Sequence, residues 1–185
     1  IRDRFGAVNP GGKLTMTFPK SVGQIPLYYA HKNTGRPLKE GKWFEKFRSN
    51  YLDVDNDALY PFGYGLSYTT FRFSDITLNR SSIGMDNELV ASVTVTNTGD
   101  RAGSEVVQLY IRDLVGSVTR PVKELKGFEK IYLQPNESRT VRFTIAPEML
   151  KFYNADLKFV AEPGDFDVMI GPDSRNVKTA RFTLR

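Results

Sequence analysis

The sequence predicts a mostly β protein whose larger part is an antiparallel β-sandwich, and three observations support this prediction. From about residue 71, apolar and polar residues alternate with the period-two pattern of half-buried strands. Turn-forming Gly, Pro, Asn and Asp residues separate these runs at the spacing typical of a sandwich. No helical period of useful length occurs in the same region. We therefore expect a fibronectin-III/immunoglobulin-like antiparallel β-sandwich over residues 71–185.

The individual strands of the sandwich follow from the residues that share one face. Alternation is clear in five runs, which are ELVASVTVTNTGD (88–100), VVQLYIRD (106–113), SRTVRFTI (138–145), DFDVMIG (165–171) and TARFTL (179–184). The predicted inward residues are Leu89, Ala91, Val93, Val95, Val107, Leu109, Ile111, Val141, Phe143, Ile145, Phe166, Val168, Ile170, Ala180, Phe182 and Leu184. KELKGFEKIYL (123–133) predicts two strand segments with a kink at Gly127.

Residues 1–70 have a different character. A turn at NPGG (9–12) precedes a predicted short strand over 13–18, with Leu14, Met16 and Phe18 on one side. Residues 21–59 show no clean period and are punctuated by Pro and Gly. We expect residues 1–59 to be the last strand and trailing loops of a larger domain, because they are too short and too irregular to form one alone.

Composition excludes several classes of function. The net charge is +5 and the pI is about 9.4, but Glu interrupts the basic stretches at 38–48 and 120–130, so no nucleic-acid partner is predicted. No apolar run of about 18 residues occurs, so no membrane partner is predicted. Without Cys and with His31 as the only His, thiolate sites and multi-His metal sites are excluded. DVDND (53–57) lacks the Gly and Glu of a calcium loop, and we predict no metal and no cofactor.

The stretch YPFGYGLSYTTF (60–71) stands at the border between the two parts. Its rings have large apolar faces with polar tips, and its glycines permit positive φ and close backbone approach. We predict that it packs the sandwich against its neighbour, through Tyr60, Phe62, Gly63, Tyr64, Gly65 and Tyr68. An aromatic platform for sugar rings is the alternative for the same residues.

Several motifs in order resemble the C-terminal part of bacterial β-glucosidases of glycoside hydrolase family three. They are FGAVNPGGKLTMTFP (5–19), VGQIPLYY (22–29), NTGRP (33–37), YPFGYGLSYTTF (60–71), VTNTGDRAGSEVVQLYI (95–111), RPVKELKGFEKIYLQPNES (120–138) and AEPGDFDVMIG (161–171). The resemblance implies that residues 1–70 are the end of an α/β sandwich domain plus a linker. It also implies that residues 71–185 are an added fibronectin-III-like domain.

The same resemblance implies a function for the parent protein and a non-catalytic role for this chain. Members of this family are retaining, exo-acting enzymes that hydrolyse terminal non-reducing β-D-glucosyl residues. Their nucleophilic Asp and acid/base Glu would lie upstream of Ile1, so we assign no catalytic residue here. The implied partners are the upstream catalytic domains and, through the parent enzyme, a β-glucoside or oligosaccharide. The implied location is periplasmic or secreted.

Two questions stay open at this point. A polar and aromatic cluster in the first part has the groups to reach the rim of a sugar pocket, and its members are Tyr28, His31, Asn33, Arg36 and Trp43. The alternative is that these residues only pack on a neighbouring domain. The whole chain has an alternative too, as a free-standing carbohydrate-binding or adhesion module, which rests on analogy of fold.

Overall fold

The computed structural model describes residues 6–38 and 42–185. Two short 3-10 helices lie at Val22–Gln24 and Pro147–Leu150. The strands of the described residues are β1 (Phe71–Phe73), β2 (Thr77–Leu78), β3 (Ser82–Ile83), β4 (Leu89–Asn97), β5 (Gly103–Asp113), β6 (Glu124–Leu133), β7 (Ser138–Ile145), β8 (Phe152–Tyr153), β9 (Phe159–Val160), β10 (Gly164–Gly171) and β11 (Lys178–Leu184).

Two sheets form the sandwich. In the first, β4 pairs with β7 along one edge and with β1 and β2 along the other, all antiparallel. The second has the order β3-β11-β10-β5-β6, and within it only the short β3–β11 pair is parallel. The hairpin β8–β9 stands apart from both sheets. The predicted mostly β fold with antiparallel sheets is therefore confirmed.

The core lies between the two sheets and contains the predicted inward residues, except Ala180, which is half-buried and outside the apolar cluster. Along β4 every second residue is buried, and Leu89, Ala91 and Val95 have no exposed surface. The facing residues of β5, β10 and β11 belong to the same apolar cluster. Phe143 packs on this cluster while partly buried. Opposite Leu109 and Tyr110 the register of β6 shifts from Gly127 to Leu125, which leaves an extra residue beside the predicted kink.

The first part of the chain is largely irregular, as predicted for residues 21–59. The predicted strand over 13–18 is wrong, because the structure shows only an isolated bridge between Phe18 and Tyr60 there. Leu14 does exchange main-chain hydrogen bonds with Tyr64 and Gly63, at 2.8 Å each. The chain bends at residues 15–16 between these two pairings, and Met16 is 62% exposed. A bend prevents a continuous ladder and turns this apolar side chain outward.

Candidate functional site

The segment of residues 58–65 covers the outer face of β5. Gln108 Nε2 donates a hydrogen bond to the Gly63 carbonyl at 3.2 Å, and the Ser174 amide donates to the Phe62 carbonyl at 2.9 Å. The Tyr29 ring lies 4.4 Å from the Phe62 ring and 5.7 Å from the Tyr110 ring, measured between centroids. The two parts of the described chain therefore share a packed seam of rings and buried amides.

Gly63 and Gly65 lie where neighbouring atoms leave no room for a side chain. Gly63 has a φ of +82°, and a Cβ there would lie 2.1 Å from Gln108 Oε1. A Cβ on Gly65 would lie 2.4 Å from the Gly12 carbonyl oxygen. Tyr60 and Tyr64 stack with centroids 5.1 Å apart. Tyr60 and Tyr68 stay 41% and 44% exposed, and the interdomain role of the six residues in this stretch stays a prediction.

Two polar contacts fix the first part to the sandwich near the beginning of β5. Lys13 Nζ lies 2.6 Å from Glu105 Oε1, and the two side chains are only 14% and 8% exposed. Asn9 Nδ2 donates to the Ala102 carbonyl at 2.9 Å, while its Oδ1 accepts from the Ser67 hydroxyl and the Tyr68 amide. A buried charge pair and an amide that both donates and accepts hydrogen bonds hold this seam in one register.

The predicted rim residues fall into two groups. Residues 31–33 run beside the end of β5: the Val122 amide donates to the His31 carbonyl at 2.9 Å, and Asn33 lines a pocket there. The His31 ring lies at the surface, 3.2 Å from the Lys32 carbonyl through Nδ1. Tyr28 and Trp43 are 54% and 59% exposed and do not line that pocket.

Arg36 is also exposed, and its carbonyl accepts a hydrogen bond from the Ser49 amide at 2.9 Å. Asn33 is thus the rim candidate that the structure brings to a pocket. The sugar-binding role of all five candidates stays a prediction.

This pocket, of about 220 Å³, lies between Asn33 and the loop of residues 112–121. Asp113 and Arg120 form its charged wall, with Arg120 Nε 3.6 Å from Asp113 Oδ2. The Arg120 guanidinium also donates to Glu124 at 2.9 Å and lies over the Phe152 ring at 4.2 Å. Arg120 is thereby held from several sides, which fixes the loop that follows β5.

A carboxylate fixes the far side of the same loop. Glu162 accepts hydrogen bonds from the amide of Ser117 at 2.8 Å and from its hydroxyl at 2.5 Å. These bonds favour the ionised form, so the pKa of Glu162 is lowered. The loop is therefore held at Ser117 by Glu162 as well as at Arg120.

Asp113 is the acid of this region whose environment favours the neutral form. Its side chain is 6% exposed, and burial raises its pKa despite the nearby Arg120. Oδ1 accepts from the Val115 amide at 3.2 Å, whereas Oδ2 is buried without a hydrogen bond. A Cβ on Gly116 would lie 3.2 Å from Oδ2, so the loop covers this oxygen. An acid held in this way supports the loop that follows β5.

The acidic stretch at 53–57 is organised by Gln24. The buried Gln24 Oε1 accepts hydrogen bonds from the backbone amides of residues 20 and 21. Its Nε2 donates to the backbone carbonyls of Asp55 and Asp57, at 2.9 and 3.1 Å. Lys20 Nζ pairs with the Asp55 carboxylate at 2.7 Å, and this hydrogen bond lowers the pKa of Asp55. Among the described residues, no three His, Cys, Asp or Glu side chains gather as a metal site.

The sequence did not reveal that Gln24 and Gln108 are buried. It also did not reveal that the Asp113 and Arg120 side chains are largely enclosed, at 6% and 14% exposed. Gln108 and Tyr110 stand on the outward face of β5, yet they are 3% and 0% exposed because the first part covers that face. The absence of charge in QLYI (108–111), where three of the four residues are large and apolar or aromatic, is the signal that both faces of this strand are buried.

The fold and the seam define the class of protein: a fibronectin-type-III-like sandwich with a largely irregular segment packed on the outer face of β5. A family model described as "Fibronectin type III-like domain" matches residues 105–174, and one described as "Glycosyl hydrolase family 3 C-terminal domain" matches residues 5–68. The chain belongs to the C-terminal region of glycosyl hydrolase family 3.

Known relatives agree with this assignment along nearly the whole chain. A periplasmic β-glucosidase of Salmonella typhimurium is 56% identical over 180 residues, which are 97% of this chain and 23% of that protein. A β-xylosidase of Formosa agariphila is 44% identical over 183 residues, which are 98% of this chain and 24% of that protein.

A solved structure agrees as well. The crystal structure of a β-glucosidase from Listeria innocua in complex with glucose is 44% identical, with a TM-score of 0.91 over 97% of this chain and 25% of that one. The chain thus spans about a quarter of the length of the relatives it matches.

Proposed function

We propose that this chain is the non-catalytic C-terminal portion of a retaining, exo-acting β-glucosidase and that it braces the catalytic domains. The parent enzyme would hydrolyse terminal non-reducing β-D-glucosyl residues, in line with the names of the Salmonella and Listeria relatives. The catalytic Asp and Glu would belong to the upstream domains. Retaining hydrolysis needs two carboxyl groups about 5–5.5 Å apart. Asp113, the buried acid with a raised pKa, is instead enclosed by its own loop.

One observation supports the bracing role above all others. The apolar core consists of residues from 83 onward, whereas the described part of the first seventy residues contributes only Ala58 to the buried apolar set. Most of the exposed large apolar side chains nevertheless belong to that first part, and they are Val8, Met16, Phe18, Val22, Ile25, Tyr28, Trp43, Phe44, Phe47, Leu52, Leu59, Tyr60, Leu66 and Tyr68. This concentration of exposed apolar side chains supports an interface in the first part of the chain. We assign the upstream domains of the same protein as its partner, because the chain spans only about a quarter of the length of its relatives.

Activity assays test the non-catalytic assignment. The 185-residue chain and the longer enzyme that contains it are compared on an aryl β-glucoside and an aryl β-xyloside. We expect turnover of the glucoside by the longer enzyme and none by the chain alone. Turnover by the chain alone would overturn the assignment. Preference for the xyloside would instead indicate that the longer enzyme is a β-xylosidase, as the Formosa relative is named.

A matched pair of exposed leucines tests the bracing. Leu52 in the first part is 84% exposed, and Leu157 on the β8–β9 hairpin is 82% exposed. In the longer enzyme, Leu52→Ser should lower Tm because it removes an interface contact, and Leu157→Ser should not. In the isolated chain neither change should matter. Equal effects of the two changes in the longer enzyme would contradict the proposal.

The location proposed for the parent enzyme is periplasmic or secreted. It rests on the name of the Salmonella relative. Fractionation of the producing cells tests it, and recovery of the full-length enzyme with the cytoplasmic markers would refute it. Within the described ranges, no helix is long and apolar enough to cross a bilayer.

A further inference from the structure

A groove of about 680 Å³ runs along the seam between residues 6–12 and the β5–β6 edge of the sandwich. Its lining includes Asn9, Gly11, Tyr68, Arg101, Lys130 and Tyr132. A Cβ on Gly11 would lie 2.9 Å from the Ser104 Cβ and 3.6 Å from the Lys130 side chain. The absence of a side chain at Gly11 therefore keeps this groove open.

Aromatic rings line the groove and continue beyond it. Tyr132 is 54% exposed, and it shares the outward face of β6 with Lys130 and with Phe128, which is 68% exposed. These residues alternate along the strand, so consecutive members of the stripe are about 7 Å apart. β6 is the edge strand of its sheet, which leaves the stripe accessible from the side. Exposed rings spaced along a strand form a platform on which flat, amphipathic ligands stack.

The groove also has an uncompensated positive charge. Arg101 and Lys130 both line it, and none of its described lining residues is acidic. Within the part of the chain that the structure describes, neither side chain forms an ion pair or a hydrogen bond. The Ser104 hydroxyl adds a neutral hydrogen-bonding group. The ligand that fits this groove is therefore negatively charged, has hydroxyl groups and has flat faces that pack on tyrosine.

We propose that this groove binds an acidic oligosaccharide, a glycan chain with uronic acid groups. The tyrosine rings pack against the sugar rings, while Arg101 and Lys130 pair with a carboxylate. The groove holds the glycan without cleaving it. This binding goes beyond the bracing function and does not rest on it. Val8 and Tyr68 line the groove, so this proposal assigns these two exposed residues to the glycan and leaves the other exposed apolar residues of the first part to the interface with the upstream domains.

Titration of the 185-residue chain tests this proposal. The probes are a xylo-oligosaccharide with one glucuronic acid group, the same oligosaccharide without that group, and sodium sulfate. Binding is followed by calorimetry and by NMR shifts of backbone amides. We expect the acidic oligosaccharide to bind at least about 10-fold more tightly than the neutral one, with an affinity that falls as salt rises.

Variants locate the binding site. Lys130→Ala and Tyr132→Ala should each weaken binding by about 10-fold, since one removes an ion pair and the other a stacking face. Lys158→Ala and Tyr153→Ala are the matched controls, because both lie on the exposed β8–β9 hairpin, where Tyr153 is 67% exposed. They should bind like the parent chain. Gly11→Leu should block binding by filling the groove, and thermal melting verifies that each variant is folded.

Three outcomes would overturn the proposal. The acidic oligosaccharide does not bind, or the neutral one binds as tightly, or sulfate binds as tightly, which would make the groove an anion site only. Equal loss of binding in the hairpin controls would also reject this location. None of these outcomes bears on hydrolysis, so failure here is distinguishable from failure of the proposed function.

Discussion

The Gln108 side chain packs directly against the backbone of Gly63 across the seam. Gln108 Nε2 donates to the Gly63 carbonyl, and Gln108 Oε1 accepts from the Tyr110 hydroxyl. Nε2 also donates to the Pro172 carbonyl, so one buried amide joins β5 to two other segments of the chain. The space that a side chain at residue 63 would need is occupied by this amide. The aromatic stretch at 60–71 is thus fixed to the sandwich through a glycine.

Gly63→Ala should destabilise the chain by about 3 kcal/mol. The φ of +82° disfavours a side chain. In addition, a displaced Gln108 leaves buried donors and acceptors unpaired. Urea unfolding measures the change. Gly35→Ala is the control, because a Cβ there meets nothing within 4 Å. If Gly63→Ala lowered the free energy of unfolding no more than Gly35→Ala does, the close packing of Gly63 against Gln108 would be contradicted.

The alternation of apolar residues predicted the strands because each main strand contributes one face to a single core. Leu89, Ala91 and Val95 show this along β4. Alternation says nothing about what covers the other face of a strand. Gln108 and Tyr110 were therefore missed, since their burial depends on residues more than forty positions earlier in the chain.

The pocket beside β5 was only partly predictable for a similar reason. The segment NTGRP identified Asn33 as a candidate by its chemistry. The opposite wall, Asp113 and Arg120, is assembled by a loop that folds back through Glu162 and Phe152. No local pattern in the sequence contains such tertiary contacts. The strand predicted over 13–18 failed because a period-two pattern does not detect a bend within it.

The buried pair Lys13–Glu105 should be costly to break from one side. Lys13→Met leaves an enclosed carboxylate without its cation, and we expect a loss of about 3–5 kcal/mol in the free energy of unfolding. Adding Glu105→Gln to this variant should recover most of the loss, because the remaining groups are neutral. Denaturant unfolding of both single variants and the double variant measures the coupling.

The exposed pair Lys178–Asp75 is the control for this cycle. Its charged atoms lie 3.0 Å apart, but the side chains are 49% and 92% exposed. Lys178→Met should therefore cost no more than about 1 kcal/mol. If Lys13→Met lowered the free energy of unfolding no more than Lys178→Met does, water would reach the Lys13–Glu105 pair in solution.

The stability of the chain should respond to pH through Asp113. Burial raises the pKa of this carboxyl in the folded chain, with Glu162 and Glu124 adding to the effect and Arg120 opposing it. Between the unfolded pKa of about 3.9 and the raised folded value, the folded state binds more protons than the unfolded state. The contribution of Asp113 to the free energy of unfolding therefore falls as pH rises through this window.

Asp113→Asn isolates this contribution because it removes the titration and preserves the shape. The difference in stability between Asp113→Asn and the parent chain should shift in favour of the variant as pH rises from about 4 to 7. Urea unfolding at several pH values measures it. Asp75→Asn is the control, since its carboxylate is almost fully exposed. A difference that shifts in the opposite direction would show that Arg120 outweighs burial.

Arg36 should affect the binding of extended substrates if the rim prediction is correct. Its side chain is exposed in this chain, so it is free to contact a sugar beyond the one that is cleaved. In the longer enzyme, Arg36→Ala should raise KM for a β-linked glucose disaccharide by about 10-fold, as the loss of a charged hydrogen bond predicts. With an aryl β-glucoside, which lacks that second sugar, both KM and kcat should stay unchanged. Arg48→Ala is the matched control, because Arg48 pairs with Glu45 at 3.2 Å within the same region. An equal change for both substrates, or the same change in Arg48→Ala, would place Arg36 outside the rim.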